Sequence, residues 1–294
     1  MLGYEGSTET MERLAKETSK DSQKRELAVP VPVFIYHELY KSSKELESIP
    51  FRHRRYYLSV ERFQEHLDFL DRNQIRGCSL EQYLTSTPEC QKKSVVLTFD
   101  DGHISNYEWV WPMLKAKNMS ATFFAVADWV GRADRISAQQ FREMDADGMS
   151  IGSHGLTHSP LTKLSPSDLK TEMVASKEKL EQMLGKPIRH VAVPGGFIND
   201  AVVEQGKLAG YEHVCSSIPG HASAGFVLNR LSVTSIMSPK TFQDLASQRW
   251  FVLFKTLATY HAIQRFKGII GVAGYERLCN RLMRRSPSSA QTPA

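Results

Sequence analysis

The sequence predicts an α/β protein built on a parallel sheet or barrel, and two observations carry that expectation. Strand and helix signals alternate from residue 29 to residue 217, the pattern of parallel strands joined by crossover helices. Four polar motifs also follow directly on apolar strand signals: His37, Asp100-Asp101, His154 and Pro194-Gly195-Gly196. In a parallel barrel the carboxyl ends of the strands share one face, where sites collect.

Each element has a local reason. Val29-Pro-Val-Pro-Val-Phe-Ile-Tyr36 reads as a buried strand with prolines near its entry. Residues 59–72 read as a helix, with Ser59 as its cap and Phe63, Leu67 and Leu70 on one face. Residues 94–99 form the second strand signal, 105–117 a helix in spite of Pro112, and 121–126 the third strand. A short helix closes over 141–147, and 149–152 is again a strand. Ser165-Pro166-Ser167-Asp168 opens a helix with a cap, a proline at the first helical position and an acid in the first turn; it ends near Gly185. Residues 188–193 form a strand, 200–209 a helix and 213–217 the last strand of the series.

Composition sets the frame. With 41% hydrophobic and 23% charged residues over 294 positions, the chain is an ordinary globular protein, and no repeat is visible. Cys78, Cys90, Cys215 and Cys279 are scattered without Cys-x2-Cys spacing, so reduced thiols are expected, with no disulfide framework or zinc knuckle. Residues 1–28 are polar, a flexible amino-terminal segment without an apolar h-region. No signal peptide or amino-terminal anchor is expected, and the expected location is cytoplasmic. Residues 29–240 form the expected catalytic body, and 241–294 a basic helical extension with a disordered end.

The net charge of +5 belongs to that extension: residues 241–294 carry +6, leaving about −1 for the rest. Trp250-Phe251-Val252-Leu253-Phe254 opens an apolar stretch, but Lys255, His261, Gln264 and Arg265 interrupt it and make it too polar to span a bilayer. Two readings stand: helices docked on the barrel, or a segment lying on the anionic inner face of a membrane. No nucleic-acid-binding motif accompanies the charge.

The chemistry concentrates in Thr98-Phe99-Asp100-Asp101-Gly102 and His154-Gly155-Leu156-Thr157-His158. Asp-Asp-Gly is also a common turn, and His-x3-His arises by chance. Together, at two strand ends, they offer two imidazoles and a carboxylate to a divalent ion, with positions left open for water and substrate. The second carboxylate is then free to act as a general base.

At these residues the chain resembles the polysaccharide deacetylases of carbohydrate esterase family 4, the NodB-homology domain. The matching stretches are Leu97–Gly102, Ala121-Thr122-Phe123-Phe124, and Gly152-Ser153-His154-Gly155-Leu156-Thr157-His158-Ser159-Pro160-Leu161. The resemblance runs from about residue 31 to residue 233. It implies a distorted (β/α) barrel that removes N-acetyl groups from amino sugars with a divalent metal. Asp100 would be the base, and Asp101, His154 and His158 the ligands. The metal is expected to be zinc, with cobalt, nickel and ferrous iron as alternatives.

Pro32-Val33-Phe34-Ile35-Tyr36-His37 resembles the poly-N-acetylglucosamine deacetylase branch, where strand order is permuted and the general-acid histidine comes first; His37 takes that role. Leu228-Asn229-Arg230-Leu231 stands where unpermuted members carry that histidine. The third motif departs from the family: Ala192 replaces the arginine that pairs with the base, and Gly195 replaces a tyrosine. Glycine still supplies a backbone N–H for an oxyanion. Arg189 and Arg230 are both candidates for holding Asp100.

Trp129, Pro194 and Gly196 are the expected substrate-binding residues, Trp129 by stacking on a sugar. Trp109 and Trp111 are expected in packing, and His53, His66, His103, His190, His213, His221 and His261 in surface or structural roles. The expected partner is an N-acetylated amino-sugar oligomer or polymer, lipid-linked or free. A silent carbohydrate-binding barrel and a hydrolase of another small amide are the alternative readings.

Overall fold

The computed structural model describes residues 29–222 and 225–270. The expected flexible segment 1–28, Cys279 and the rest of 271–294 lie outside these residues. Twelve strands are described: β1 (Val31–Tyr36), β2 (Glu38–Tyr40), β3 (Tyr57–Ser59), β4 (Arg76–Cys78), β5 (Ser94–Phe99), β6 (Thr122–Ala125), β7 (Ser150–Ser153), β8 (His190–Ala192), β9 (His213–Cys215), β10 (His221–Ala222), β11 (Val227–Leu228) and β12 (Leu231–Ser232).

Strands β1, β5, β6, β7, β8, β9 and β11 lie side by side in that order, all parallel. β4 adds to the start of β5, and β10 pairs antiparallel with the start of β1. β11 pairs with β9 at one end of the sheet, whereas β12 pairs with β1 at the other. Only Asn229 and Arg230 separate these two strands, so this short link draws the sheet's ends together. The result is a parallel sheet curled into a distorted barrel with helices outside it.

Both faces of the central strands are buried, as parallel strands covered by helices require. One face of the sheet gathers Val33, Val96, Phe124, Ala192, Cys215 and Leu228, one from each of six strands. The other packs Phe34, Tyr36, Phe99 and Phe123 against helices. Phe99 stacks between Tyr36 and Phe123, each ring centre 5.1 Å away.

The helices follow their caps. The helices Val60–Arg72, Ala138–Ala146, Pro166–Leu184 and Pro239–Ala246 begin on Ser59, Ser137, Ser165 and Ser238, each accepting from a backbone N–H in the first turn. The helix expected over 105–117 is broader at its start. It opens as a π turn over Asn106–Val110 before Trp111–Ala116 becomes α-helical, with Pro112 in the first α turn. Proline lacks the N–H a regular interior would need, and the wide turn accommodates it. The helix Pro239–Ala246 straddles residue 240, where the sequence suggests the body ends. Its Phe242 is fully buried, stacked on His66 at 3.7 Å and 5.0 Å from Phe34.

Sequence periodicity missed β2, β3, β4 and β10–β12, each two or three residues long. Such runs are too short for an alternation to register.

Candidate active site

Strand register sets the site. Tyr36 pairs with Phe99 across β1 and β5, so the next residues, His37 and Asp100, emerge side by side at the strand ends. Ala125 pairs with Ser153 across β6 and β7, and the following His154 N–H bonds the Ala125 carbonyl at 2.7 Å. Val193–Gly195 leave β8 on the same face.

The two adjacent aspartates part company. Asp100 ends the strand with its N–H on the Tyr36 carbonyl (3.0 Å). Asp101 and Gly102 then take left-handed backbone conformations (φ 73° and 64°). Asp tolerates that region better than most residues, and the turn aims the second carboxylate elsewhere.

Asp100 faces a buried arginine. Arg230 Nη1 donates to Asp100 Oδ1 at 2.8 Å and Nη2 to Oδ2 at 2.9 Å, a bidentate pair. The guanidinium also donates to the Ser216 carbonyl (3.0 Å) and Thr98 Oγ1 (3.2 Å) and lies over the Phe124 ring. Arg230 is fully buried, while Arg189 is turned outward to Glu81 and Glu212. Of the two candidates, Arg230 therefore holds Asp100. It comes from the link between β11 and β12 and reaches into the barrel beside Phe124. Burial raises the Asp100 carboxyl's pKa, but the attraction of Arg230 and neighbouring His154 outweighs it and the net shift is downward.

Asp101 faces two imidazoles. Its Oδ1 lies 3.3 Å from His154 Nε2 and 3.2 Å from His158 Nε2. Among the described residues these three alone form a group of metal-ligating type, their donor atoms within 4.8 Å of one another. His154 Nδ1 sits 2.8 Å from the Ala192 carbonyl, so it carries the proton and leaves the Nε2 lone pair turned to the centre. Asp101 Oδ1 is buried with no hydrogen-bond partner. A buried carboxylate oxygen without a donor, the His154 lone pair and the nearby His158 Nε2 together fit a divalent cation.

Sequence reasoning missed the groups that hold this geometry. Glu172, buried in the helix Pro166–Leu184, accepts from the N–H groups of Leu156 (2.8 Å) and Thr157 (3.1 Å) and from the Thr157 hydroxyl. It fixes the loop that carries His158, itself at φ 69°. Arg135 Nη1 donates to the Asp101 carbonyl at 3.3 Å and stacks on Trp129 at 4.5 Å. Neither Glu172 nor Arg135 belongs to a motif, and their sequence separation from the site hides them.

His37 stands beside the pair, its ring 4.9 Å from Tyr56 and its carbonyl bonded by Asn106 Nδ2 at 2.8 Å. Its Nδ1 is buried without a partner. Burial lowers its pKa, and the charges of Asp101 and Asp100 oppose that only in part. Trp129 is half-buried, its ring 5.0 Å from His158. Gly195 is exposed at φ 70°, while Pro194 and Gly196 are buried. A side chain at Gly196 would overlap Ser217 at 2.1 Å. Pro194 and Gly196 thus shape the loop, and Gly195 is the one that meets solvent.

Glu38 adds a further carboxyl nearby, raised to about 7 by burial and by Asp101. His190 and His213 are buried together, Nδ1 to Nδ1 at 3.3 Å, with Glu81 on His190 Nε2. They begin β8 and β9, at the opposite strand ends from the site, in keeping with structural roles.

Comparison with known proteins gives one family. Residues 87–214 match the polysaccharide deacetylase model. The Bacillus subtilis (strain 168) protein YxkH is 28% identical over 225 residues, covering 74% of this chain and 77% of its own. The poly-β-1,6-N-acetyl-D-glucosamine N-deacetylase of Staphylococcus aureus is 26% identical over 196 residues, covering 61% of this chain. This chain spans 64% of that enzyme's length, less than two thirds. The Streptococcus pyogenes deacetylase PplD, solved with acetate, superposes with a TM-score of 0.64 at 28% identity, over 72% of this chain and 96% of that one.

Proposed function

The chain belongs to the polysaccharide deacetylase family, and we propose that it is a metal-dependent N-deacetylase of N-acetylglucosamine-type sugars, in a polysaccharide or a lipid-linked oligomer. The observation that carries this reading is the divergence of Asp100 and Asp101. One is ionised on a buried arginine and the other is orphaned between two imidazoles. A purely sugar-binding barrel has no use for the spare carboxylate.

Asp101, His154 and His158 would hold the ion. Zinc suits two nitrogens and one oxygen, and when bound it supplies Lewis acidity, lowering the pKa of water and polarising the amide carbonyl. Asp100 accepts the proton of the attacking water. Arg230 keeps that carboxylate ionised and fixed until it does so. The Gly195 N–H donates to the oxygen that becomes an oxyanion. His37 gives a proton to the amine as the C–N bond breaks, because an amide nitrogen leaves poorly without one. Trp129 offers a ring face to the sugar, next to His158. Acetate and a glucosamine residue are the products.

The test is acetate release from N-acetylglucosamine oligomers by the purified chain, before chelation, after it, and with zinc restored. Release that vanishes on chelation and returns with zinc supports the proposal. A zinc-loaded protein that releases no acetate from oligomers of any length counts against it.

A further inference from the structure

His37 lies between β1 and β2, which pair into different sheets, so its carbonyl falls outside both ladders. A carbonyl in a buried segment needs a donor. Asn106, fully buried and 69 residues away along the chain, donates to it from Nδ2 at 2.8 Å. Only the NH2 end of an amide can make that bond, and Asn106 Oδ1 is left buried without a partner. Burying a half-satisfied amide costs stability that an apolar side chain would not. The bond that Asn106 does make goes to the residue read as the general acid.

Two more bonds tie the same segments together. The Asp100 N–H donates to the Tyr36 carbonyl at 3.0 Å, and Ser105 Oγ accepts from the Leu39 N–H at 3.0 Å. Ser105 is held in turn by His103, whose Nδ1 accepts from the Ser105 N–H at 3.2 Å and lies 2.9 Å from its hydroxyl. Residues 36, 37 and 39 are thus laced to residues 100, 106 and 105. The strand end that presents His37 is thereby joined to the turn that presents Asp100 and Asp101. The π turn begins at Asn106 itself, and such turns are frequent at functional sites. A general acid must stand within hydrogen-bond reach of the leaving nitrogen, and a displacement of about 1 Å forfeits much of its effect. We propose that Asn106, with Ser105 beside it, is a positioning residue for the general acid, fixing the main chain at His37 and acting through it alone. This rests on the deacetylase reading of His37 and adds the groups that hold it in place.

The experiment compares two substrates that differ in their need for a proton. An N-acetylglucosamine oligomer expels an amine, which leaves poorly unprotonated, whereas 4-nitrophenyl acetate expels a phenolate that leaves without one. Asn106→Leu should lower kcat on the oligomer on the order of tenfold, with KM little changed, and lower it far less on the ester. In a His37→Ala background the same substitution should reduce oligomer turnover no further, as befits a residue that works through another. Ser105→Ala, which takes the acceptor from the Leu39 N–H, should give a smaller loss with the same selectivity, and it decides the matter if Asn106→Leu does not fold. Thermal melting and bound zinc, read on each variant, separate a displaced acid from a damaged site. Equal losses on amide and ester, or a loss that adds to that of His37→Ala, overturn the proposal. So does unchanged oligomer turnover in the folded variants. A wild type that turns over no oligomer, or that keeps its turnover in His37→Ala, refutes the reading of His37 and this proposal with it. A wild type that depends on His37 but is indifferent to Asn106→Leu and Ser105→Ala refutes this proposal alone.

Discussion

Asp100 and Asp101 are neighbours in sequence and opposites in environment. Arg230 makes the difference, since burial alone would raise the Asp100 pKa and its attraction reverses that. A carboxylate with a depressed folded pKa contributes stability above its unfolded pKa and loses it as pH falls through the folded value. Arg230→Met removes the attraction and keeps the burial. The acid limb of kcat/KM should therefore move to higher pH, read from a pH–rate profile against wild type. The same variant leaves a buried carboxylate unpaired, at a cost of about 3–5 kcal/mol in denaturant unfolding. An unchanged acid limb in a folded variant would mean that Asp100 is not the titrating base. Trp129→Ala, by contrast, should raise KM for an oligomer roughly 3- to 10-fold with kcat little changed, the worth of one aromatic contact. An unchanged KM would remove Trp129 from the sugar site.

At the scale of elements, the loop after β7 and the helix Pro166–Leu184 act together. Glu172 spans that join by accepting from the two backbone N–H groups just before His158. Glu172→Ala should release the loop and lower zinc affinity by about 10- to 100-fold, as support lost behind a ligand does; competition with a chromophoric chelator measures it. Affinity equal to wild type would show that His158 needs no such support. The turn after β8 is the other fixed element. Gly196→Ala puts a methyl into Ser217 at a positive-φ position, costing roughly 2–4 kcal/mol and visible as a lower Tm. The strands and helices that build these elements were largely legible, because Ser165-Pro166 and the apolar runs into Asp100 and His154 are strong local signals. What stayed hidden has a common cause. Glu172, Arg135 and the choice of Arg230 over Arg189 depend on which distant segments meet, and a link two residues long at Asn229–Arg230 carries no periodicity.

Across the whole molecule, the closure of the sheet and the chemistry of the site are one feature. The segment that joins β11 to β12 brings the ends of the barrel together and delivers Arg230 beneath Asp100. β1, which starts the described chain, brings His37 to the same face by its register with β5. The central claim is that the aspartate pair divides its work, Asp101 toward a metal and Asp100 toward a proton. Asp100→Asn tests it most directly, with bound zinc and acetate release measured on the same preparation. The account predicts zinc retained at the wild-type stoichiometry and turnover abolished. Acetate release near the wild-type rate, or loss of zinc with the Asp101–His154–His158 group untouched, would contradict it.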